Sequence, residues 1–199
     1  MTVTIAGGVA PRRARLPIRA HPLVFGVVVF LASELMFFAA LFAAYFDLRE
    51  QAAPGTWPPP YVHLDTLDSS IGTALLFVSS LVMLAMTRAA SRYRIRAARA
   101  WLAAGIVCAL GFIAIALYGY AHDTFTIASS AYGSLYFTMT GFHLLHVVAG
   151  VGLLVAMWLG LRSPAIRADH LGGAEAISYY WHFVFVVWLG LWSSIYFIR

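Results

Sequence analysis

The chain has 199 residues, of which 62% are hydrophobic and only 11% are charged. Because ordinary soluble domains have roughly 45–50% apolar and about 25% charged residues, this composition excludes a soluble globular protein. A membrane-spanning helix needs about 20 apolar residues, so the chain has room for five or six spans and no separate catalytic domain. The net charge is +5. We interpret this positive charge as a signal that orients the chain in the membrane. We expect no nucleic-acid partner, because no arginine cluster is interleaved with aromatic residues.

Five apolar stretches follow a basic segment at residues 1–20 and predict an all-α, polytopic membrane protein. Strands of a membrane β-barrel alternate in polarity over about 10 residues, whereas these stretches are apolar on all sides and 19 to 31 residues long. We therefore predict a single five-helix membrane domain over residues 21–199. The predicted helices span about 22–46, 69–87, 100–121, 131–161 and 177–198.

The distribution of arginine predicts how the chain is oriented. Eleven arginines lie before helix 1, between helices 2 and 3 or between helices 4 and 5, and only two lie on the other side. Cytoplasmic segments carry the excess of basic residues, so we expect the N-terminus in the cytoplasm and the C-terminus outside. The outer segment after helix 1 contains Pro58–Pro60, which favours a stiff surface loop over a sixth helix.

Four ionisable side chains lie inside the predicted spans, where a charge costs about 2.5–3.5 kcal/mol at the helix centre. Glu34 lies about 18 Å into helix 1, and His143 lies at a similar depth in helix 4, which runs in the opposite direction. His146 follows on the same face as His143, so the two imidazoles could share a partner. We predict a hydrogen bond between Glu34 and one of them. The fourth residue is His182, in helix 5.

These residues also raise the alternative of a metal or haem site. Two histidines at one depth on facing helices can ligate haem iron, but His182 lies much closer to its membrane surface than His143 does. Zinc prefers three or four converging ligands, and only His143, His146 and Glu34 could meet. Cys108 is the only cysteine and lies in an apolar run. We therefore predict no metal, no haem and no catalytic residue in this chain.

Small and aromatic residues give two further expectations. The glycines of helix 4, Gly141, Gly150 and Gly152, predict close helix packing. The aromatic run Tyr179–Trp181 at the start of helix 5 is typical of the belt at a membrane surface.

Three motifs in chain order resemble subunit III of the haem-copper oxidases. Helix 1 has LASELMFF at Leu31–Phe38, helix 4 has TGFHLLHV at Thr140–Val147 after AYGS at Ala131–Ser134, and helix 5 has YWHFV at Tyr180–Val184. The likeness runs from about residue 21 to residue 199. The number of spans is similar to the shorter bacterial version of that subunit, which lacks the first two of seven helices.

The resemblance implies an accessory subunit of an aerobic terminal oxidase in the bacterial cytoplasmic membrane. Such a subunit has no redox centre. It binds beside catalytic subunit I, which carries the haems and copper. Its other partners are subunit II and small subunits. It supports stability, sustained turnover and proton uptake. The buried glutamate of the family falls on Glu34, its paired histidines on His143 and His146, and the histidine of its Trp-His-Phe motif on His182.

The resemblance also implies a lipid-filled cleft. We expect phospholipid between a helix 1–2 pair and a helix 3–5 bundle, with headgroups near cytoplasmic Arg88, Arg92 or Arg94. The chain departs from the family pattern at Phe185 and Gly119, where acidic residues are usual. Three alternatives remain open: an accessory subunit of a quinol oxidase or nitric-oxide reductase, a haem-binding membrane anchor, and a proton or ion channel through Glu34.

Overall fold

The computed structural model describes residues 22–163 and 170–198, except for the side chain of His170. The described part of the chain forms long helices and no β-strand, and five helices are long and apolar enough to cross a membrane. The predicted all-α fold with five spans is therefore confirmed. The orientation stays a prediction, and the basic segment at residues 1–20 lies outside the described residues. The helices are α1 (Pro22–Gln51), α2 (Thr66–Ser91), α3 (Ile95–His122), α4 (Ala131–Gly160) and α5 (His170–Tyr196).

Most helices extend beyond the apolar stretches that predicted them. Helix α1 continues to Gln51, and α3 begins at Ile95, five residues before the predicted start. Hydropathy marks only the part of a helix that lies in hydrocarbon, whereas backbone hydrogen bonding continues into the polar region. Helix α2 begins where the Asp65 carboxylate accepts hydrogen bonds from the backbone N–H groups of Leu67 and Asp68, at 2.8 and 3.3 Å. This cap satisfies amides that have no partner within the helix.

Helices α2 and α3 form the most extensive helix pair in the structure. The three residues between them make a tight turn in which Tyr93 has a φ of 55°. A turn this short requires the two helices to be antiparallel neighbours. Small residues allow close approach along the pair: a Cβ added to Gly72 would lie 3.2 Å from the Phe112 ring, and one added to Gly105 would lie 2.6 Å from Met83.

Helix α5 holds the bundle together, because it packs against α1, α2 and α4. Side-chain hydrogen bonds mark these contacts, and such bonds stabilise helix association where lipid offers no partners. In each case an aromatic side chain is the donor. The pairs are Tyr45 Oη to the Ser194 carbonyl at 3.1 Å, Trp188 Nε1 to Thr73 Oγ1 at 2.8 Å, Trp192 Nε1 to Ser69 Oγ at 3.3 Å, and Tyr180 Oη to the His146 carbonyl at 2.8 Å.

The expected separation into a helix 1–2 pair and a helix 3–5 bundle is wrong. Helix α1 packs on α4 and α5, while α2 packs on α3 and α5. The connection between α1 and α2 covers residues 52–65, so it does not force those helices together as the three-residue turn forces α2 and α3. That connection contains no helix, as predicted, and its Trp57 ring packs edge-on against Tyr45 and Tyr132 at centroid distances of 5.5 and 5.1 Å.

Two expectations about packing in α4 and α5 need correction. Among the three glycines, only Gly150 is closely packed: an added Cβ would lie 2.6 Å from the Trp181 ring, whereas a Cβ added to Gly141 or Gly152 would have no neighbour within 4 Å. Trp181 is 1% exposed, so it belongs to the core and not to a surface aromatic belt. Close packing at Gly150 explains this burial, because it brings α4 against the indole ring.

Candidate functional site: a carboxyl–imidazole pair between two helices

Helices α1 and α4 bring Glu34 and His146 together. Glu34 Oε2 lies 3.0 Å from His146 Nε2, which is hydrogen-bonding distance. The predicted hydrogen bond between Glu34 and one of the paired histidines is therefore present, and it involves His146. Glu34 lies about 18 Å along α1, so the contact is deep within the span.

The second contact of His146 defines how many protons the pair holds. His146 Nδ1 lies 2.7 Å from the Phe142 carbonyl oxygen, which can only accept, so Nδ1 must carry a proton. The bond between Nε2 and Oε2 then contains one further proton, held by either partner. The pair is therefore neutral overall, as a carboxylic acid beside imidazole or as a carboxylate beside imidazolium. Neutrality lowers the cost of placing two ionisable groups in a membrane.

The pair lies at the surface of the bundle. Glu34 is 22% exposed and His146 is 15% exposed, although both lie inside membrane-spanning helices. Aromatic rings surround the contact: Phe38 packs edge-on against His146 at 5.3 Å, and Phe37 packs against Phe142 at 4.9 Å. This surface is therefore an apolar face of α1 and α4 that contains one proton-sharing contact.

His143 has a separate environment, so the two histidines of α4 do not share a partner. It is 1% exposed, and its Nε2 donates a hydrogen bond to the Val184 carbonyl of α5 at 3.1 Å. The rings of Phe112 and Trp188 pack on it, with centroids 5.8 and 4.9 Å away. Nδ1 has no hydrogen-bond partner among the described residues. His143 therefore connects α4 to α5.

His182 does not join the other three residues. Its Nδ1 donates to the Ser178 carbonyl of its own helix at 2.6 Å, and no described hydrogen bond joins it to Glu34, His143 or His146. The predicted cluster of four is thus one pair and two separately placed histidines. The sequence missed this because residues on one helix face can still point to different neighbouring helices.

The described residues contain no group of three or more His, Cys, Asp or Glu side chains placed to hold a metal ion. Cys108 is a half-buried free thiol in α3. The expectation that the chain binds no metal or haem stays a prediction.

The three arginines predicted to bind lipid lie at the C-terminal end of α2 and in the turn after it. All three are exposed. Arg88 borders a groove of about 360 Å³ between the C-terminal end of α2 and the N-terminal end of α5, with Ser91 and Ser178 in the same lining. Arg92 and Arg94 flank Tyr93 in the turn between α2 and α3. A basic side chain beside hydroxyl groups can bind a phosphate.

Sequence reasoning missed a second polar site at the opposite end of the bundle. Asp123 follows the last residue of α3, and burial raises its pKa, while a hydrogen bond from Tyr136 of α4 acts in the other direction. Tyr120 Oη donates to Thr140 Oγ1 at 2.8 Å in the same region. The spacing of Tyr132, Tyr136 and Thr140 along one face of α4 was the available signal, because i, i+4 and i+8 positions share a helix face.

Comparison with known proteins agrees with the motifs. The sequence model of the family described as "Cytochrome c oxidase subunit III" matches residues 16–199. The chain is 38% identical to a protein of Corynebacterium diphtheriae named cytochrome c oxidase subunit 3, over 96% of this chain and 95% of that protein. It is also 38% identical to a probable cytochrome c oxidase subunit 3 of Nocardia farcinica, over 87% of each chain.

A more distant relative has the same name. The cytochrome c oxidase subunit 3 of Danio rerio is 36% identical over 86% of this chain and 68% of that longer protein. The family model covers the helices that carry Glu34, His143, His146 and His182. The chain therefore belongs to the cytochrome c oxidase subunit III family and is a multi-pass membrane subunit of an oxidoreductase complex.

Proposed function

We propose that this chain is the non-redox accessory subunit of a bacterial aerobic terminal oxidase that takes electrons from cytochrome c. In this role it binds catalytic subunit I directly, contacts subunit II, and supports stability, sustained turnover and proton uptake in subunit I. The haems and copper of the complex belong to the partner subunits. The names of the bacterial relatives favour cytochrome c as the electron donor over a quinol.

The observation that carries this proposal is the partly exposed Glu34–His146 pair. Lipid cannot hydrogen-bond the exposed polar atoms of these two side chains. Contact of this part of α1 and α4 with another protein is therefore favoured over contact with lipid. Large apolar side chains surround the pair on α1, including Leu35 and Met36, which are 57% and 71% exposed. We assign this surface to contact with subunit I. There the pair can exchange its shared proton with the catalytic subunit while the accessory chain performs no redox step.

A bound phospholipid is a second part of the proposal. The groove beside Arg88 offers a guanidinium group and the hydroxyl groups of Ser91 and Ser178, which suit a lipid phosphate, and it also contains one carboxylate, Glu175. This position replaces the cleft between a helix 1–2 pair and the remaining helices. Native mass spectrometry of the complex should show fewer retained phospholipids for Arg88→Gln than for wild type. Equal retention would contradict lipid binding there.

Removing the subunit from the complex tests the proposed function. The complex without this chain should keep its haem and copper content and its initial rate of oxygen consumption within about tenfold, but lose activity faster during continuous turnover. A rate loss above a hundredfold at unchanged metal content would contradict the accessory role, because such a loss is typical of a missing general acid or base. Loss of haem with this chain would contradict the assignment of the redox centres to partner subunits.

A further inference from the structure

A cavity of about 590 Å³ lies between α2, α3, α4 and α5, at the end of the bundle that faces outward in the predicted orientation. Exposed residues form its mouth, including His63, Thr66 and His122. Its lining extends down to Leu144 and Trp188. At 1.5 Å per residue these positions are about 20 Å from the start of α4 and about 12 Å from the end of α5. The cavity therefore enters the membrane-spanning part of the bundle.

The formal charge of the lining, with histidine counted as neutral, is negative. Asp65, Asp68 and Asp123 line the cavity together with His63 and His122, and no arginine does so among the described residues. The chain also contains no lysine. Carboxylates in a cleft with low-dielectric walls concentrate their electric field and raise the local concentration of cations. The outer part of the cavity therefore attracts cations and repels anions.

The walls of the cavity also carry aromatic and polar side chains. Tyr120, Tyr136, Trp188 and Tyr196 all line the cavity, and aromatic faces attract ammonium groups. Tyr120 donates to Thr140, and Trp188 donates to Thr73. Lipid chains cannot supply the further hydrogen bonds that the hydroxyl groups of Tyr120 and Thr140 can accept, whereas water can. A cavity of this volume holds many waters, since one water takes about 30 Å³ of liquid.

We propose that this cavity is a hydrated, outward-open vestibule that admits small organic cations of the ammonium class and excludes anions. It is separate from the Glu34–His146 pair, and it does not depend on the accessory role in the oxidase. Its inner end lies against Phe112 and Trp188, the two rings that pack on His143. One layer of side chains thus separates outer water from this buried histidine.

Cysteine accessibility in the intact complex tests the proposal. In a Cys108→Ser background, Ala116→Cys places a thiol in the upper lining and Leu144→Cys places one in the deep lining. The matched controls are their sequence neighbours Leu117→Cys and Leu145→Cys. These positions lie at nearly the same depth but on the outside of the helix bundle, where the leucine side chains are 53% and 63% exposed. Sealed right-side-out membrane vesicles are treated with impermeant methanethiosulfonates that carry either a trimethylammonium or a sulfonate group.

We expect the trimethylammonium reagent to modify both lining thiols and neither control. It should react at least about tenfold faster than the sulfonate reagent, after correction for their rates with a free thiol. Adding Asp68→Asn and Asp123→Asn should lower the corrected ratio of the two reaction rates toward the value of a free thiol, at which the two reagents react equally. The content of this subunit in the purified complex confirms assembly of each variant, and if Leu144→Cys fails to assemble, Ala116→Cys with its control decides the outcome.

Three results would overturn the proposal of a cation-selective vestibule. Lining thiols as unreactive as the controls would show that water does not enter, and equal corrected rates for the two reagents would show that the carboxylates do not select cations. Labelling only in inside-out vesicles would show that the cavity does not open outward.

Discussion

Glu34 and His146 share a proton, and a single substitution removes it without removing the hydrogen bond. In Glu34→Gln the side-chain amide can donate to His146 Nε2, which becomes the acceptor because Nδ1 is protonated toward Phe142. We expect the complex to assemble and its steady rate of oxygen consumption to fall by less than about tenfold. Inactivation during long turnover should be faster, because the shared proton is lost.

The matched variant Glu34→Leu loses the hydrogen bond as well as the proton, so it should retain less of this subunit in the purified complex. Oxygen consumption and subunit content, measured on the same preparations, separate the two effects. A fall beyond a hundredfold in Glu34→Gln, with haem content unchanged, would mean that Glu34 acts as a catalytic acid, since removing a general acid costs about a hundred- to ten-thousandfold.

Asp123 makes stability depend on pH with a definite sign. Burial raises its pKa in the folded chain, so the folded state holds its proton more tightly than the unfolded state does. The resulting stabilisation is complete below the unfolded value of about 3.9 and is lost as the pH rises through the folded value. We expect the Tm of Asp123→Asn minus that of wild type to increase as the pH is raised from about 4.

Thermal unfolding of the detergent-solubilised subunit at several pH values measures this difference. Asp47→Asn replaces an exposed carboxylate that hydrogen-bonds Gln51 on the same helix, and it serves as the control. Parallel Tm curves for Asp123→Asn and wild type would contradict the prediction.

At the scale of elements, contact between α4 and α5 depends on the absence of one side chain. The Cβ of Gly150→Ala would lie 2.6 and 2.9 Å from two carbons of Trp181 and 3.1 Å from Tyr180. Trp181 is fully buried, so it has little room to move. We expect a loss of about 1–3 kcal/mol of stability. Thermal unfolding followed by circular dichroism should show a Tm lower by roughly 2–4 °C per kcal/mol.

Gly152→Ala is the matched control, because a Cβ at that position has no neighbour within 4 Å. Its Tm should equal or slightly exceed that of wild type, since alanine favours the helix more than glycine does. If the two variants lost equal stability, helix propensity and not the contact with Trp181 would account for the effect of Gly150→Ala.

At the scale of the whole molecule, the arrangement of ionisable groups favours a subunit without its own redox centre. His143, His146 and His182 bond to separate groups on α5, on α1 and within α5 itself. We expect the purified chain to contain less than a stoichiometric amount of iron, copper and zinc by elemental analysis. It should also lack the strong Soret absorption of a bis-histidine haem. One equivalent of any of these metals would contradict the prediction and favour the membrane-anchor alternative.

The sequence alone determined the five spans and the approach of Glu34 to the histidines of α4. Each span is a local property, because about 20 consecutive apolar residues are enough to place a helix in hydrocarbon. Depth is local as well: the fixed rise per residue puts Glu34 and His143 at similar levels, and the cost of an unpaired polar group there favours a bond between the two helices.

Only the tertiary structure decided which histidine is the partner, which helices are neighbours and where the outer cavity lies. These features depend on how each helix is rotated about its axis. Lipid is as apolar as leucine, so in a membrane the hydrophobic pattern does not mark the buried face of a helix. The burial of Trp181, the choice of His146 over His143 and the meeting of Asp123 with Tyr136 therefore follow from packing of the whole bundle.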